Sequence, residues 1–174
     1  LLDLTKLKEQ LEYIDSKRCD LNDIIRHANK IAIVGNGGSN AIASHIANDY
    51  TKVLNKECIS FTNPTQLTCY INDYGMNEAY WRFLNDQLSH DTKRYNGLAI
   101  LISSSGESDN IVEAAKWCQQ ESVSFISLSG FEYNNRLNRE SKSPSCVLNY
   151  WVPSCSYGVI ECAHEIFLHS ILDI

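Results

Sequence analysis

An apolar run that stops at a glycine turn and restarts as a helix is the feature that most narrows the folds open to this chain. KIAIVG (30–35) leads through Gly-Asn-Gly-Gly-Ser into AIASHIANDYTKVL, whose apolar residues recur at helical spacing from Ala41 onward. NGLAILISS (96–104) leads through SSGESD into NIVEAAKWCQQES, and VSFISLSG (123–130) is a third run ending in Ser-Gly. Runs this continuous, without polar alternation, read as strands buried on both faces. They predict a parallel sheet covered by helices on each side, an α/β fold. ECISF from Glu57 and SCVLNYWVP from Ser145 add two shorter strands, and YGVIECAHEIFLHSILDI closes the chain as a largely apolar helix. Segment 131–145 is polar and predicts a loop with one helical turn.

Ahead of the first strand, Leu4, Leu7, Leu11 and Ile14 recur at three- and four-residue spacing, an amphipathic helix. A second helical segment, DLNDIIRHANK, follows with Asp20 as its candidate N-cap. With no repeat and no linker, the expectation is one domain over 1–174, helical over 1–29 and an αβα sandwich over 30–174.

Charge narrows the partners. The chain has 15 basic and 21 acidic residues, a formal charge of −6, and no Lys/Arg cluster. That disfavours nucleic acid, because such proteins neutralise phosphates with cations, and leaves small-molecule chemistry or assembly. The 7 cysteines are odd in number, form no C-x-x-C and sit mostly among apolar residues, which predicts buried free thiols in a reducing cytoplasm. No segment reaches the ~18 apolar residues of a membrane span, and no signal-peptide pattern is present.

In open α/β sheets, ligands bind beyond the carboxyl ends of the strands, where the next helix presents free N–H groups. Gly35-Asn36-Gly37-Gly38-Ser39 lets the backbone approach a ligand closely, with Ser39 as a cap or an anion donor. Ser103-Ser104-Ser105-Gly106-Glu107-Ser108 offers four hydroxyls and several N–H groups, enough to encircle a phosphate without Lys or Arg. No lysine follows the glycines as a Walker loop requires, and Asn40 replaces the third glycine of a dinucleotide fingerprint. A phosphorylated small molecule and no nucleotide cofactor are expected.

His45 and Asp49 stand four apart on the helix leaving the glycine turn, hence on one face. Glu161, Glu165 and His169 follow at four-residue intervals on the last helix, with His164 turned away from them. If the two helices converge, His45, Asp49, Glu161 and His169 form an N₂O₂ set suited to zinc. The same groups equally suit metal-free acid–base work. His27 and His90 have no such context and read as surface residues.

GNGGSNAIASHIAND (35–49), NDYGMNEAYWRF (72–83), ISSSGESDNIVEA (102–114), ISLSG (126–130) and IECAHEIFLH (160–169) resemble, in order and spacing, the SIS (sugar isomerase) domain family. His45-x-x-x-Asp49, with a last helix bearing Glu161, His164 and His169, resembles its phosphoheptose isomerase branch. The resemblance implies a five-stranded parallel sandwich, a homotetramer with sites near subunit boundaries, and a zinc ion in some members. The implied reaction converts sedoheptulose 7-phosphate to D-glycero-D-manno-heptose 7-phosphate through an enediol. Carried over, Ser103, Ser104, Ser105 and Ser108 hold the phosphate, and Asn36, Gly37, Ser39, Asp73 and Glu161 contact the sugar. Asp49 and His169 are catalytic, and His45, Asp49, Glu161 and His169 are the metal positions.

Three positions depart from that pattern. Asp49 replaces the usual glutamate, Glu161 the usual glutamine, and Gly158 a common aspartate, which implies an altered substrate or altered catalysis. The resemblance also admits a non-catalytic reading, an SIS module that binds a sugar phosphate or a protein partner, as the DnaA-initiator-associating protein does.

Overall fold

The computed structural model describes residues 3–88 and 96–172. The expected surface position of His90 lies outside the described residues. Helix α1 (Leu4–His27) precedes β1 (Lys30–Gly35), α2 (Gly38–Leu54), β2 (Glu57–Ser60), α3 (Pro64–Tyr74) and α4 (Met76–Leu88). Then come β3 (Gly97–Ser103), α5 (Asp109–Gln120), β4 (Ser124–Ser129), α6 (Arg136–Glu140), β5 (Cys146–Trp151) and α7 (Tyr157–His169).

All five strands are parallel and lie in the order β2-β1-β3-β4-β5. The apolar runs become strands because both of their faces are covered. Ile31, Ile33, Leu98, Ile100, Ile102, Ile126 and Leu128 pack with α1, α2 and α7. The residues between them, Ala32, Val34, Ala99, Leu101 and Phe125, pack on the opposite face against α4 and α5. This is the two-residue alternation of a strand, with each buried large side chain contributing about 1.5–3 kcal/mol.

The strand order puts a topological switch between β1 and β3. From β1 the chain goes outward to β2 on one side, and from β3 outward to β4 on the other. The loops after β1 and β3 therefore diverge at their carboxyl ends and leave a crevice between them. Those loops are the glycine turn and the serine loop.

Three expectations change. The N-terminal region is one helix of 24 residues capped by Asp3, whose side chain accepts from the Lys6 N–H. Asp20 is an interior residue paired with Lys17 at 2.9 Å, so a charge pair one turn apart replaces the expected cap. Leu4 and Leu11, placed on the apolar stripe, are 68% and 45% exposed, because the buried contacts run through Ile14, Leu21 and Ile25. All seven cysteines are free, but only Cys58 and Cys118 are buried, while Cys19, Cys69, Cys155 and Cys162 are exposed. No helix among the described residues is long and apolar enough to cross a membrane.

Candidate active site

Gly37 takes φ +55° and ψ −123°, backbone that a side chain would strain, and α2 begins at Gly38 with no side chain capping its first N–H groups. Asn36 lines the crevice with its carboxamide already engaged. It donates to Asn110 Oδ1 at 2.8 Å, and its own Oδ1 accepts from Asn110 at 3.0 Å and from the Tyr80 hydroxyl at 2.7 Å. This side chain, expected to touch sugar, lines the cleft and also ties the glycine turn to the start of α5.

The serine loop forms the facing wall. Ser103 donates to the Ser108 hydroxyl and accepts from the Gly106 N–H, both at 3.2 Å, and Ser105 Oγ accepts from the Glu107 N–H at 3.2 Å. Gly106 has φ +69°, and a Cβ there would collide with the buried carboxamide of Asn135. Ser104 Oγ stands 3.4 Å from Ser39 Oγ across the gap. With Gly37, Gly38, Tyr157 and Glu161 these walls enclose a cleft of about 240 Å³.

Two helix N-termini, those of α2 and α5, meet at this cleft, and each favours an anion. Glu161 stands in front of the first: a Cβ on Gly38 would lie 2.5 Å from both its carboxylate oxygens. Ser108 leaves α5 without a side-chain cap. Ser104, Ser105 and Ser108 line the cleft beside the α5 end.

The second cluster lies farther along α2 and α7. His45 Nε2 and His169 Nε2 approach the same oxygen, Asp49 Oδ2, at 3.2 and 3.1 Å. His45 Nδ1 donates to Glu165 Oε1 at 3.1 Å, and His169 Nδ1 donates to the Glu165 main-chain carbonyl at 3.0 Å. The two rings stand edge to face, 4.9 Å between centroids. Ligand atoms of His45, Glu165 and His169 all lie within 4.8 Å of one another. Two imidazoles and carboxylate oxygens converging in this way fit a zinc-like divalent ion.

Glu161 was expected in this set, and the structure brings Glu165 there instead. Each four-residue step slips about 40° around a helix, so Glu161 is turned about 80° from His169 and Glu165 about 40°. Asp73, at the end of α3, accepts from Cys69 Sγ and Asn72 Nδ2 and is not among the residues lining the cleft. His27 is exposed, donating to the Asp23 carbonyl. His164 is fully buried: Nε2 donates to the Ser129 carbonyl at 3.1 Å, Nδ1 has no partner, and burial pushes its pKa down to about 4. Sequence reasoning singled out neither Tyr80 and Asn110, the braces of the glycine turn, nor Tyr157 in the cleft wall.

The SIS domain family model matches residues 4–130. A phosphoheptose isomerase of Campylobacter concisus is 33% identical, the match covering 86% of this chain and 76% of that protein. One from Neisseria meningitidis is 30% identical over 90% of this chain and 76% of its own. Among solved structures, the phosphoheptose isomerase from Neisseria gonorrhoeae superposes with a TM-score of 0.79 at 24% identity, covering 98% of this chain and 91% of that one. That from Francisella tularensis gives 0.78 at 19% identity, covering 98% and 90%.

Proposed function

This chain belongs to the SIS domain family, and within it to the phosphoheptose isomerases, and on that basis we propose that it interconverts sedoheptulose 7-phosphate and D-glycero-D-manno-heptose 7-phosphate. The observation that carries the reading is the arrangement of two sites along α2. An anion cleft opens at the starts of α2 and α5, and an Asp49–His169 pair sits farther along α2 and α7. From Ser39 to His45 along α2 is about 9 Å, and from Glu161 to His169 along α7 about 12 Å. A phosphate held at one end leaves the far end of an extended sugar near the acid–base groups.

The chain's own groups then divide the work. Ser104, Ser105 and Ser108 with the α5 N–H groups hold the phosphate, and this remote binding energy fixes the reacting carbons. Ser103 braces the loop. Asp49 removes a proton from C1 while the C2 oxygen gains one, giving the enediol. Return of a proton to C2, with loss of the proton on O1, completes the aldose. His169, its Nε2 3.1 Å from Asp49 Oδ2, moves the oxygen protons. Zinc, where bound, would be held by His45, Asp49 and His169 and would supply polarisation of the carbonyl oxygen.

The same reading takes the working form to be a cytoplasmic homotetramer, with the site near a subunit boundary. It is supported by the exposed Leu4, Leu11 and Tyr13 on α1. Turnover of sedoheptulose 7-phosphate by the purified chain, with and without added zinc, tests the activity. A folded sample that binds the sugar phosphate but turns it over in neither condition would refute it and favour the binding-module alternative.

A further inference from the structure

Glu165 belongs to none of the roles the sequence resemblance assigned, yet it touches both histidines of the cluster. Its side-chain Oε1 takes the Nδ1 hydrogen of His45 at 3.1 Å, and its main-chain oxygen takes the Nδ1 hydrogen of His169 at 3.0 Å. An imidazole whose Nδ1 is held as a donor presents Nε2 as its free face. Both Nε2 atoms lie near one oxygen, Asp49 Oδ2, at 3.2 and 3.1 Å.

This is the arrangement by which proteins orient a ligating histidine. The ring nitrogen away from the ion donates to a carboxylate or a main-chain carbonyl, which fixes tautomer and ring angle and raises ligand basicity. Here one residue serves two rings from two helices, the carboxylate for α2 and the carbonyl for α7. The helix supplies the second contact at no cost in side-chain order, since a carbonyl four residues before His169 lies directly beneath its ring.

We propose that Glu165 is the positioning residue of the site: it sets the His45 ring through its carboxylate and the His169 ring through its carbonyl, so that both Nε2 atoms converge with Asp49 on a divalent cation. The inference rests on the isomerase reading only for its kinetic consequence, and its binding consequence stands apart. Because the carbonyl survives any substitution, only His45 is released when the side chain changes.

The test measures Co²⁺ and Zn²⁺ binding to the full chain by titration calorimetry, with the Co²⁺ visible spectrum as a second readout, for native protein, Glu165→Ala and Glu165→Gln. Melting temperatures verify folding; Glu165 is 40% exposed, so both variants are expected to fold. Glu165→Ala should weaken cation binding about 10–100-fold and alter the Co²⁺ spectrum. Glu165→Gln keeps an acceptor oxygen and should restore affinity to within about fivefold of native. In turnover, Glu165→Ala should lower kcat with KM for the sugar phosphate unchanged, because the serine cleft is untouched. Equal cation affinity in native and Glu165→Ala, or no rescue by Glu165→Gln, overturns the proposal, as does a native chain that binds neither ion. A native chain that binds Co²⁺ and loses it in Glu165→Ala, yet turns over no sedoheptulose 7-phosphate, supports the positioning role and removes the isomerase reading instead.

Discussion

His164→Leu separates a buried titration from everything else in the chain. In the folded protein the ring is fully buried with a pKa pushed down to about 4, whereas in the unfolded chain it returns to about 6.5. Above pH 6.5 neither state carries the proton. Between 6.5 and 4 the unfolded chain binds a proton that the folded one refuses, so acid draws the equilibrium toward unfolding, and below 4 both states bind it. Integrated down to pH 4.5, this removes about 2.5 kcal/mol of native stability, or about 5–10 °C in Tm for a chain of this size. The substitution leaves little damage at neutral pH. The Ser129 carbonyl keeps the Val152 N–H as a donor, and the ring's Nδ1 has no partner to lose. Losing one hydrogen bond costs about 0.5–1.5 kcal/mol, while removing an unsatisfied buried nitrogen returns about 1–3 kcal/mol, so the variant should match or slightly exceed native stability at pH 7.5. Urea unfolding of both proteins from pH 7.5 to 4.5 is the assay, because titrations shared by the two cancel in the difference. Curves that stay parallel across that range would refute the reasoning.

Other substitutions test the site. Ser104→Ala should raise KM for the sugar phosphate about 10-fold or more with kcat little changed, since one hydrogen bond to a charged group is worth about 1.5–3 kcal/mol; steady-state kinetics decide. His169→Ala should lower kcat about 10²–10⁴-fold while equilibrium binding of the substrate persists. Gly106→Ala, at φ +69° and against Asn135, should cost more than about 1 kcal/mol in urea unfolding and weaken phosphate binding with it.

The sheet was legible because its strands are continuous apolar runs closed by Gly35, Ser103 and Gly130. Helix α3 gave a weaker signal: none of its residues is fully buried, its apolar face is the short set Leu67, Tyr70 and Ile71, and its ends rest on the Asn63 cap, Pro64 and the terminating Gly75. Asp20 misled because a good N-cap residue is equally at home in an exposed ion pair within a helix. The site was half legible. His45, Asp49 and His169 follow from four-residue spacing, but choosing between Glu161 and Glu165 needs the rotation of α7 against α2, which tertiary packing sets. Tyr80 and Asn110 are distant in sequence from Asn36 and become visible only once the fold joins them.

The paired carboxamides of Asn36 and Asn110 have a consequence for how this protein can change. They clamp the glycine turn to the first turn of α5, just after the serine loop, and the Tyr80 hydroxyl bonds to the same Asn36 oxygen, so the spacing of the two turns is set within the chain itself. In the wall opposite, on α7, Tyr157 packs its ring on Phe131, and among the described residues no paired carboxamides hold it. On the proposed reading, mutational drift in substrate preference is therefore channelled to α7: new tails can be tried there, one residue at a time, while the geometry of the serine loop is inherited intact.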